Sequence, residues 1–334
     1  MMRLQWQRCS GTVATLMGIL VGGASLHAPD LEAQSRSLTV DDLRLEVGVS
    51  SPQISPDGGA IVVVTSRPNY EDNRFDRTLV LVDADTGEQR DLTPHRPGVR
   101  QPRWSPSGEF LAFVDSDEEG TPQVFILPMT WGEARQVTDA EQGVRVFQWT
   151  KDGQDLFYTT TDLPEEREGE ERHNLSFEVG YNSYLTKEAP TSTHLWRVPV
   201  EGGEATRLTE GPENISSFIP SPDGRTVALG VTPRPHSGEG IRTIIQILDL
   251  ESGEQRDLVD DPPVNLQAFS PDGRFLAFSR SRGPEPYFNP AGIFIRPLVG
   301  DFPVDVTGQI DRNLGGVAWL PGGEGFVVTG TDLT

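Results

Sequence analysis

The chain has 334 residues and a formal net charge of −22, because 50 aspartates and glutamates outnumber 28 lysines and arginines. This acidic balance argues against nucleic acid as a partner, since binding to phosphates requires clustered cations. With 35 glycines, 27 prolines and a hydrophobic fraction of 35%, the composition is typical of a turn-rich β-protein and not of a disordered chain. The length suits either two domains or one large β-domain.

Residues 1–33 predict a cleavable signal peptide. Arg3 and Arg8 give a positive start, and the apolar run at 12–24 is too short and too rich in glycine to span a membrane. Cleavage would also remove Cys9 and leave a mature chain without cysteine. We therefore expect export to the periplasm or the exterior of a bacterial cell. An uncleaved N-terminal anchor is the alternative, and no other membrane contact is expected.

After a connecting segment at 34–49, one tetrapeptide recurs along the chain. Its first copy is SPDG at 55–58, and further copies begin at residues 105, 221 and 270, with weaker copies at 150 and 320. Each copy predicts a tight turn, because proline sets φ, aspartate bonds its own backbone and glycine supplies a positive φ. The spacings of 50, 45, 71, 49 and 50 residues indicate a repeat architecture.

Each turn is surrounded by the same pattern of strands. A short strand precedes it, often with an aromatic residue such as Trp104 or Trp149, an apolar run follows it, and two more strands complete the period. This pattern predicts the blade of a β-propeller, with the aromatic residues in the layers between blades. A β-sandwich is the alternative, but its turns recur about every 8–12 residues and do not explain the much longer tetrapeptide period.

The predicted fold is therefore an all-β propeller of four-stranded blades, with five complete blades and a partial sixth. The blades span 50–93, 99–138, 144–209, 214–259, 264–307 and 314–334. A half-blade leaves an unpaired strand edge, which proteins normally avoid. Either the N-terminal segment completes that blade, or the chain is a fragment of a longer protein with seven or eight blades; we favour the fragment.

The third blade contains an insertion at 162–191, between its second and third strands. The insertion is acidic from Glu165 to Glu171 and then carries Tyr181 and Tyr184. Loops inserted on one face of a repeat protein often carry function. The alternative is a solvated acidic loop with a few packing aromatic residues.

The repeat frame resembles a known group of proteins. The similarity lies in the segments SPQISPDG (51–58), PRWSPSGEFLAF (102–113), LWRVPVEGGEATRLT (195–209) and FSPDGRFLAFSRSR (269–282). They resemble the propeller of the prolyl oligopeptidase family, and most of all its secreted bacterial dipeptidyl and acylaminoacyl peptidases. Very similar repeats occur in the periplasmic propeller protein of the Tol system. In the peptidase family, the propeller caps an α/β-hydrolase domain with a Ser-Asp-His triad and admits only short or unfolded peptides.

This resemblance implies a function but assigns no catalytic residue. The chain has no G-x-S-x-G nucleophile elbow and no βαβ alternation after the repeats, so we expect it to end before the hydrolase domain. The predicted function is the substrate-gating propeller of a secreted serine exopeptidase that acts on short peptides. One alternative is a non-enzymatic periplasmic propeller that binds a protein partner. Another is a propeller fused to a different hydrolase, such as a metal-dependent amidohydrolase.

In some dipeptidyl peptidases of the family, adjacent glutamates on a propeller insertion hold the free amine of the substrate through charge-assisted hydrogen bonds. The corresponding candidates for substrate binding all lie in the insertion: Glu165, Glu166, Glu170, Glu171, Tyr181 and Tyr184. No cofactor and no metal are predicted. Acidic clusters at 83–87 and 115–120 contain the oxygen ligands that calcium prefers, but both fall at turns that need aspartate and glycine in any case.

Overall fold

The computed structural model describes residues 39–164, 166, 168–173, 176–178, 189–283, 289–300 and 302–331. The predicted signal peptide at 1–33 lies outside these residues. Within them, the protein is almost entirely β-structure, with short 3-10 helices at Val40–Leu45, Gly169–His173 and Ser237–Arg242. No helix in these ranges is long and apolar enough to cross a membrane.

The strands form six antiparallel sheets, each of them a meander in chain order. In the described ranges, five sheets have four strands and the last has two. The strands are β1 Gly48–Ile54, β2 Ala60–Asn69, β3 Arg74–Asp83, β4 Gln89–Asp91, β5 Arg100–Trp104, β6 Phe110–Ser116, β7 Pro122–Pro128, β8 Arg135–Gln136, β9 Val146–Trp149, β10 Asp155–Thr161, β11 Thr193–Pro199, β12 Thr206–Arg207, β13 Asn214–Pro220, β14 Thr226–Thr232, β15 Ile244–Asp249, β16 Gln255–Val259, β17 Val264–Phe269, β18 Phe275–Ser281, β19 Ala291–Pro297, β20 Val304–Asp305, β21 Leu314–Trp319 and β22 Phe326–Gly330. The all-β propeller of four-stranded blades with a partial sixth is confirmed.

The hydrophobic core lies in layers between neighbouring blades. Trp149, which is 8% exposed, belongs to the cluster that also contains Val114 of blade two. Similar clusters join each successive pair of blades from the first to the sixth. The indole Nε1 of Trp149 donates to the carbonyl oxygen of Arg103 at 3.1 Å, and that of Trp104 donates to Gln53 at 3.2 Å. Trp104 and Trp149 therefore pack between blades, since one sheet cannot bury both faces alone, and each also hydrogen-bonds to the blade before it.

The chemistry of the repeated turn is local. Ser270 Oγ donates to Asp272 Oδ1 at 2.6 Å and accepts the N–H of Phe275 at 3.0 Å. The same carboxylate oxygen accepts the N–H of Arg274 at 3.0 Å, and Gly273 adopts the left-handed conformation with a φ of +70°. The Ser270 hydroxyl and then the Arg274 N–H stabilise the ionised carboxylate, which lowers the pKa of Asp272.

The turns also contact one another across the blades. A Cβ atom built on Gly108 would lie 3.5 Å from Cδ of Pro56, and one on Gly273 would lie 3.8 Å from Cδ of Pro222. The turn glycine of one blade therefore packs against the turn proline of the blade before it. This contact gives a physical reason why proline and glycine recur together, and it places the repeated turns side by side on one face of the propeller.

Candidate functional site at the insertion face

The insertion stands on the face opposite the repeated turns, because it joins the far ends of β10 and β11; we call this the insertion face. Its 3-10 helix, Gly169–His173, contains Glu170 and Glu171. The candidate residues Glu166 and Glu170 are exposed to solvent. Three further candidates lie outside the described residues: Glu165, Tyr181 and Tyr184. The amine-binding role of this set therefore stays a prediction.

A buried histidine lies at the base of the insertion. His194 is 1% exposed, and its Nδ1 lies 3.1 Å from Thr209 Oγ1. Its Nε2 is 3.2 Å from Asp162 Oδ2, although the two groups are not aligned as a hydrogen bond. Arg207 also contacts Asp162, at 3.0 Å. Burial and then the Arg207 charge lower the pKa of His194, and Asp162 opposes them, so the imidazole is neutral at neutral pH.

This arrangement predicts acid-sensitive stability. An unfolded histidine has a pKa of about 6.5, and the folded value is lower, so the unfolded chain binds more protons below that pH. The contribution of His194 is fully present above about pH 6.5 and is lost as the pH falls towards the folded pKa. We expect the melting temperature to fall from about pH 7.5 to about pH 5, and His194→Gln to reduce that fall.

Glutamine is the appropriate replacement, because Gln123 occupies the corresponding position in blade two. Gln123 Oε1 accepts from Thr138 Oγ1 at 2.8 Å, at the same sequence separation of 15 that joins His194 and Thr209. If His194→Gln melts with an unchanged pH dependence, other groups cause the acid sensitivity. Gln123 and His194 each lie 15 residues before their threonine partner, and this shared separation was the sequence signal that could have identified His194.

A second contact joins the insertion to blade four. Arg234 NH1 lies 3.0 Å from Glu178 of the insertion, and its NH2 lies 2.9 Å from Glu239. Arg242 adds a contact of 3.3 Å to the same Glu239. The Arg234 hydrogen bond is the main cause that lowers the pKa of Glu239. Sequence reasoning missed this network, since Arg234 and Glu178 are 56 residues apart and share no motif.

A cavity of about 390 Å³ opens between blades three and four on the insertion face. The insertion contributes Pro164 and Pro190, and the loop after β14 contributes Pro235. The innermost strands contribute residues near the starts of β9 and β13, including Arg145 and Asn214. The sequence did not predict this cavity, because its walls come from segments that meet only in the folded propeller.

A larger cavity, of about 980 Å³, lies between blades one and two. Two of its three arginines are paired with aspartates, whereas Arg77 makes no salt bridge to a described residue. Arg96 pairs with the buried Asp115 at 3.1 Å and stacks on the ring of Phe125, 4.4 Å from its centroid. Arg74 pairs with Asp76 at 2.7 Å. The cavity at the insertion face is the better candidate for an anionic ligand, because its described lining has one arginine and no carboxylate, whereas the larger cavity also contains Asp115 and Glu133.

The acidic clusters considered for calcium hold turns together instead. Asp83 Oδ1 accepts the N–H groups of Asp85 and Thr86 at 3.1 and 2.8 Å. Asp117 Oδ1 accepts the N–H of Thr121 at 2.7 Å. Among the residues whose positions are described, no group of three or more histidine, cysteine, aspartate or glutamate side chains could hold a metal ion.

Sequence comparison finds one relative, and its name describes it as a peptidase. No protein-family model matches the chain. The uncharacterized peptidase YuxL of Bacillus subtilis is 30% identical in an alignment of 278 residues that covers 72% of this chain and 31% of that protein. The chain thus spans under a third of the length of the curated relative that it matches.

Structural comparison places the fold among peptidase and TolB-type propellers. Acylaminoacyl peptidase of Pyrococcus horikoshii is similar with a TM-score of 0.61 and 19% identity, over 82% of this chain and 42% of that one. The propeller domain of the trilobed protease of Pyrococcus furiosus gives 0.56 and 16%, over 81% and 74%. A TolB-type protein of Agrobacterium tumefaciens gives 0.52 and 16%, over 86% and 91%. The predicted resemblance to the propellers of such peptidases and of TolB-type proteins is confirmed.

Proposed function

We propose that this chain is the substrate-gating propeller of a secreted serine peptidase that acts on short peptides. The observation that carries the proposal is the 278-residue match to a peptidase, in a chain whose described residues form a propeller. The layers between the blades are densely packed, so the propeller is rigid. An extended peptide would pass between the loops of a rigid propeller, whereas a folded protein would be too wide. The insertion face would receive the substrate, since the one large insertion and a cavity meet there.

The acidic insertion supplies the chemistry for a free amino terminus. In the proposed complex, Glu165, Glu166, Glu170 and Glu171 hold the substrate ammonium, and Tyr181 and Tyr184 contact its first side chains. Charge-assisted hydrogen bonds of this kind are strong once water is excluded. Glu178 is not part of this set, because Arg234 already neutralises it.

The activity can be tested on the complete product of the gene that encodes this chain. We expect it to hydrolyse short chromogenic peptides, to leave folded proteins intact and to lose activity after treatment with a serine-directed reagent. No hydrolysis and no labelled serine would reject the peptidase. Capture of a specific envelope protein by the same product would then support the partner-binding propeller.

The role of the insertion can be tested with the double variant Glu170→Gln/Glu171→Gln. We expect KM for peptides with a free amino terminus to rise about tenfold with little change in kcat, because a binding interaction is lost in ground and transition state alike. Peptides with an acetylated amino terminus are expected to be unaffected. The measurement is steady-state kinetics on both substrate types.

Glu251→Gln/Glu254→Gln is the matched control. These two glutamates are exposed, and they lie in the turn between β15 and β16, on the opposite face. The control variant should behave as the wild type. Equal changes in both variants would indicate a general loss of negative charge and would contradict a specific amine site.

A further inference from the structure

We propose that the cavity between blades three and four binds a carboxylate of a short peptide, with Arg145 as its charged group. The inference rests on the proposed function, because it adds a second contact for the peptide that the insertion face would admit. It depends on three features of the described residues: the fixed backbone of Arg145, the neutral remainder of the cavity and the net charge of the chain.

The backbone of Arg145 is held from two sides. Its N–H donates to the carbonyl oxygen of Thr159 at 2.9 Å, and its own carbonyl accepts from Gln101 Nε2 at 3.1 Å. The side chain is exposed and lines the cavity. Within the described part of the chain, its guanidinium makes no salt bridge. A guanidinium that makes no ion pair to a described residue has donors for bidentate binding of a carboxylate.

The rest of the cavity is polar but uncharged. Among the described lining residues, Arg145 is the only charged one, and its polar neighbours include Thr161, Thr193, Asn214 and Ser216. Asn214 is a fixed wall, since its Oδ1 accepts the N–H of Thr193 at 2.9 Å and its Nδ2 donates to Thr232 at 3.1 Å. One cation among neutral groups matches one negative charge. A phosphate dianion would require a second cation, so the carboxylate is the better match.

The charge of the whole chain means that a carboxylate alone would bind weakly and that further contacts are needed. At a net charge of −22, the protein repels free anions at long range. A peptide brings its carboxylate together with apolar and amide groups that contact the walls, including Ile215 and Pro235. A volume of about 390 Å³ is sufficient for the end of a short peptide. The carboxylate can come from the C-terminus or from an acidic side chain.

Isothermal titration calorimetry on the 334-residue chain tests the site with three probes. These are N-acetyl-alanyl-alanine, its C-terminal amide, and N-acetyl-alanyl-glutamate with an amidated C-terminus. All three lack a free amine, so the glutamates of the insertion do not contribute. We expect at least one acid to bind about tenfold more tightly than the neutral amide. The acid that binds better identifies a C-terminal or a side-chain carboxylate.

Arg145→Gln should reduce the binding of the acids to that of the amide, and Arg145→Lys should restore part of the difference. Arg225→Gln, which removes an exposed arginine beside a turn on the opposite face, is the matched control and should leave binding unchanged. Melting temperatures of the variants show that each is folded. Equal binding of acids and amide, absence of binding by all three, or wild-type affinity in Arg145→Gln would each overturn the carboxylate site. None of these outcomes affects hydrolysis or the effect of the Glu170→Gln/Glu171→Gln variant, so the two proposals fail separately.

Discussion

Replacing Phe147 with alanine is expected to lower the free energy of unfolding by about 3–5 kcal/mol. Phe147 is fully buried, and it lies in the cluster that joins blades two and three. The sheets on either side are rigid, so they cannot close around the space that the ring leaves. The loss also uncovers Arg103, whose guanidinium carbon lies 5.9 Å from the ring centroid. Urea unfolding followed by tryptophan fluorescence measures the effect.

Phe302→Ala is the control for this prediction. Phe302 is 86% exposed, so its truncation should change the free energy of unfolding by less than about 0.5 kcal/mol. Similar values for the two variants would show that the layer between blades two and three does not depend on close packing. That result would contradict the assignment of the core to the layers between blades.

Arg282→Met is expected to destabilise the protein by about 3–5 kcal/mol, because it breaks a partly buried ion pair and removes a hydrogen-bond donor from each of its partners. The Nε of Arg282 donates to Asp305 at 3.0 Å, and its NH1 donates to the carbonyl of Ile310 at 2.6 Å. Its NH2 donates to Thr307 Oγ1 at 2.8 Å. The side chain thus joins the end of β18 to β20 and to the segment that leads into blade six. Thermal and urea unfolding measure the loss.

The space for Arg282 is provided by Gly292, since a Cβ atom there would lie 2.6 Å from the arginine Nε. Gly292→Ala should therefore also destabilise the protein, as a second test of the same contact. Arg274→Met is the control, because that side chain is 73% exposed and its ion pair with the neighbouring Asp272 is exposed as well. A loss in Arg274→Met equal to that in Arg282→Met would show that removing any arginine charge has the same effect.

The repeated turn was predictable because all of its interactions are local. Ser270, Asp272, Gly273 and Phe275 lie within six consecutive residues, and each residue type is required by a bond or by a φ angle. The same side-chain hydrogen bonding recurs at the copies that begin at 55, 105, 150 and 221, so the period, the strand count in each blade and the propeller could be predicted. The aromatic residues before the turns were also placed correctly, since Trp149 lies between blades two and three.

The candidate site was predictable only as a region. The insertion and its acidic character are visible in the sequence, and the fold places the insertion on one face. The sequence did not indicate that Glu178 would pair with Arg234, or that Arg145 would line a cavity with Asn214. Those residues belong to different blades, and nothing periodic relates their positions.

The sequence by itself determined the repeat, the turn chemistry and the apolar runs of the strands, because these depend on neighbours within one blade. Only the tertiary structure decided which charges are neutralised and which remain available. Side chains from β9, β13 and the insertion meet because successive blades pack their apolar faces together. That packing sets the distances between these side chains, which cannot be read from their separation along the chain. The positions of Arg145 and His194 therefore follow from the folded ring of blades.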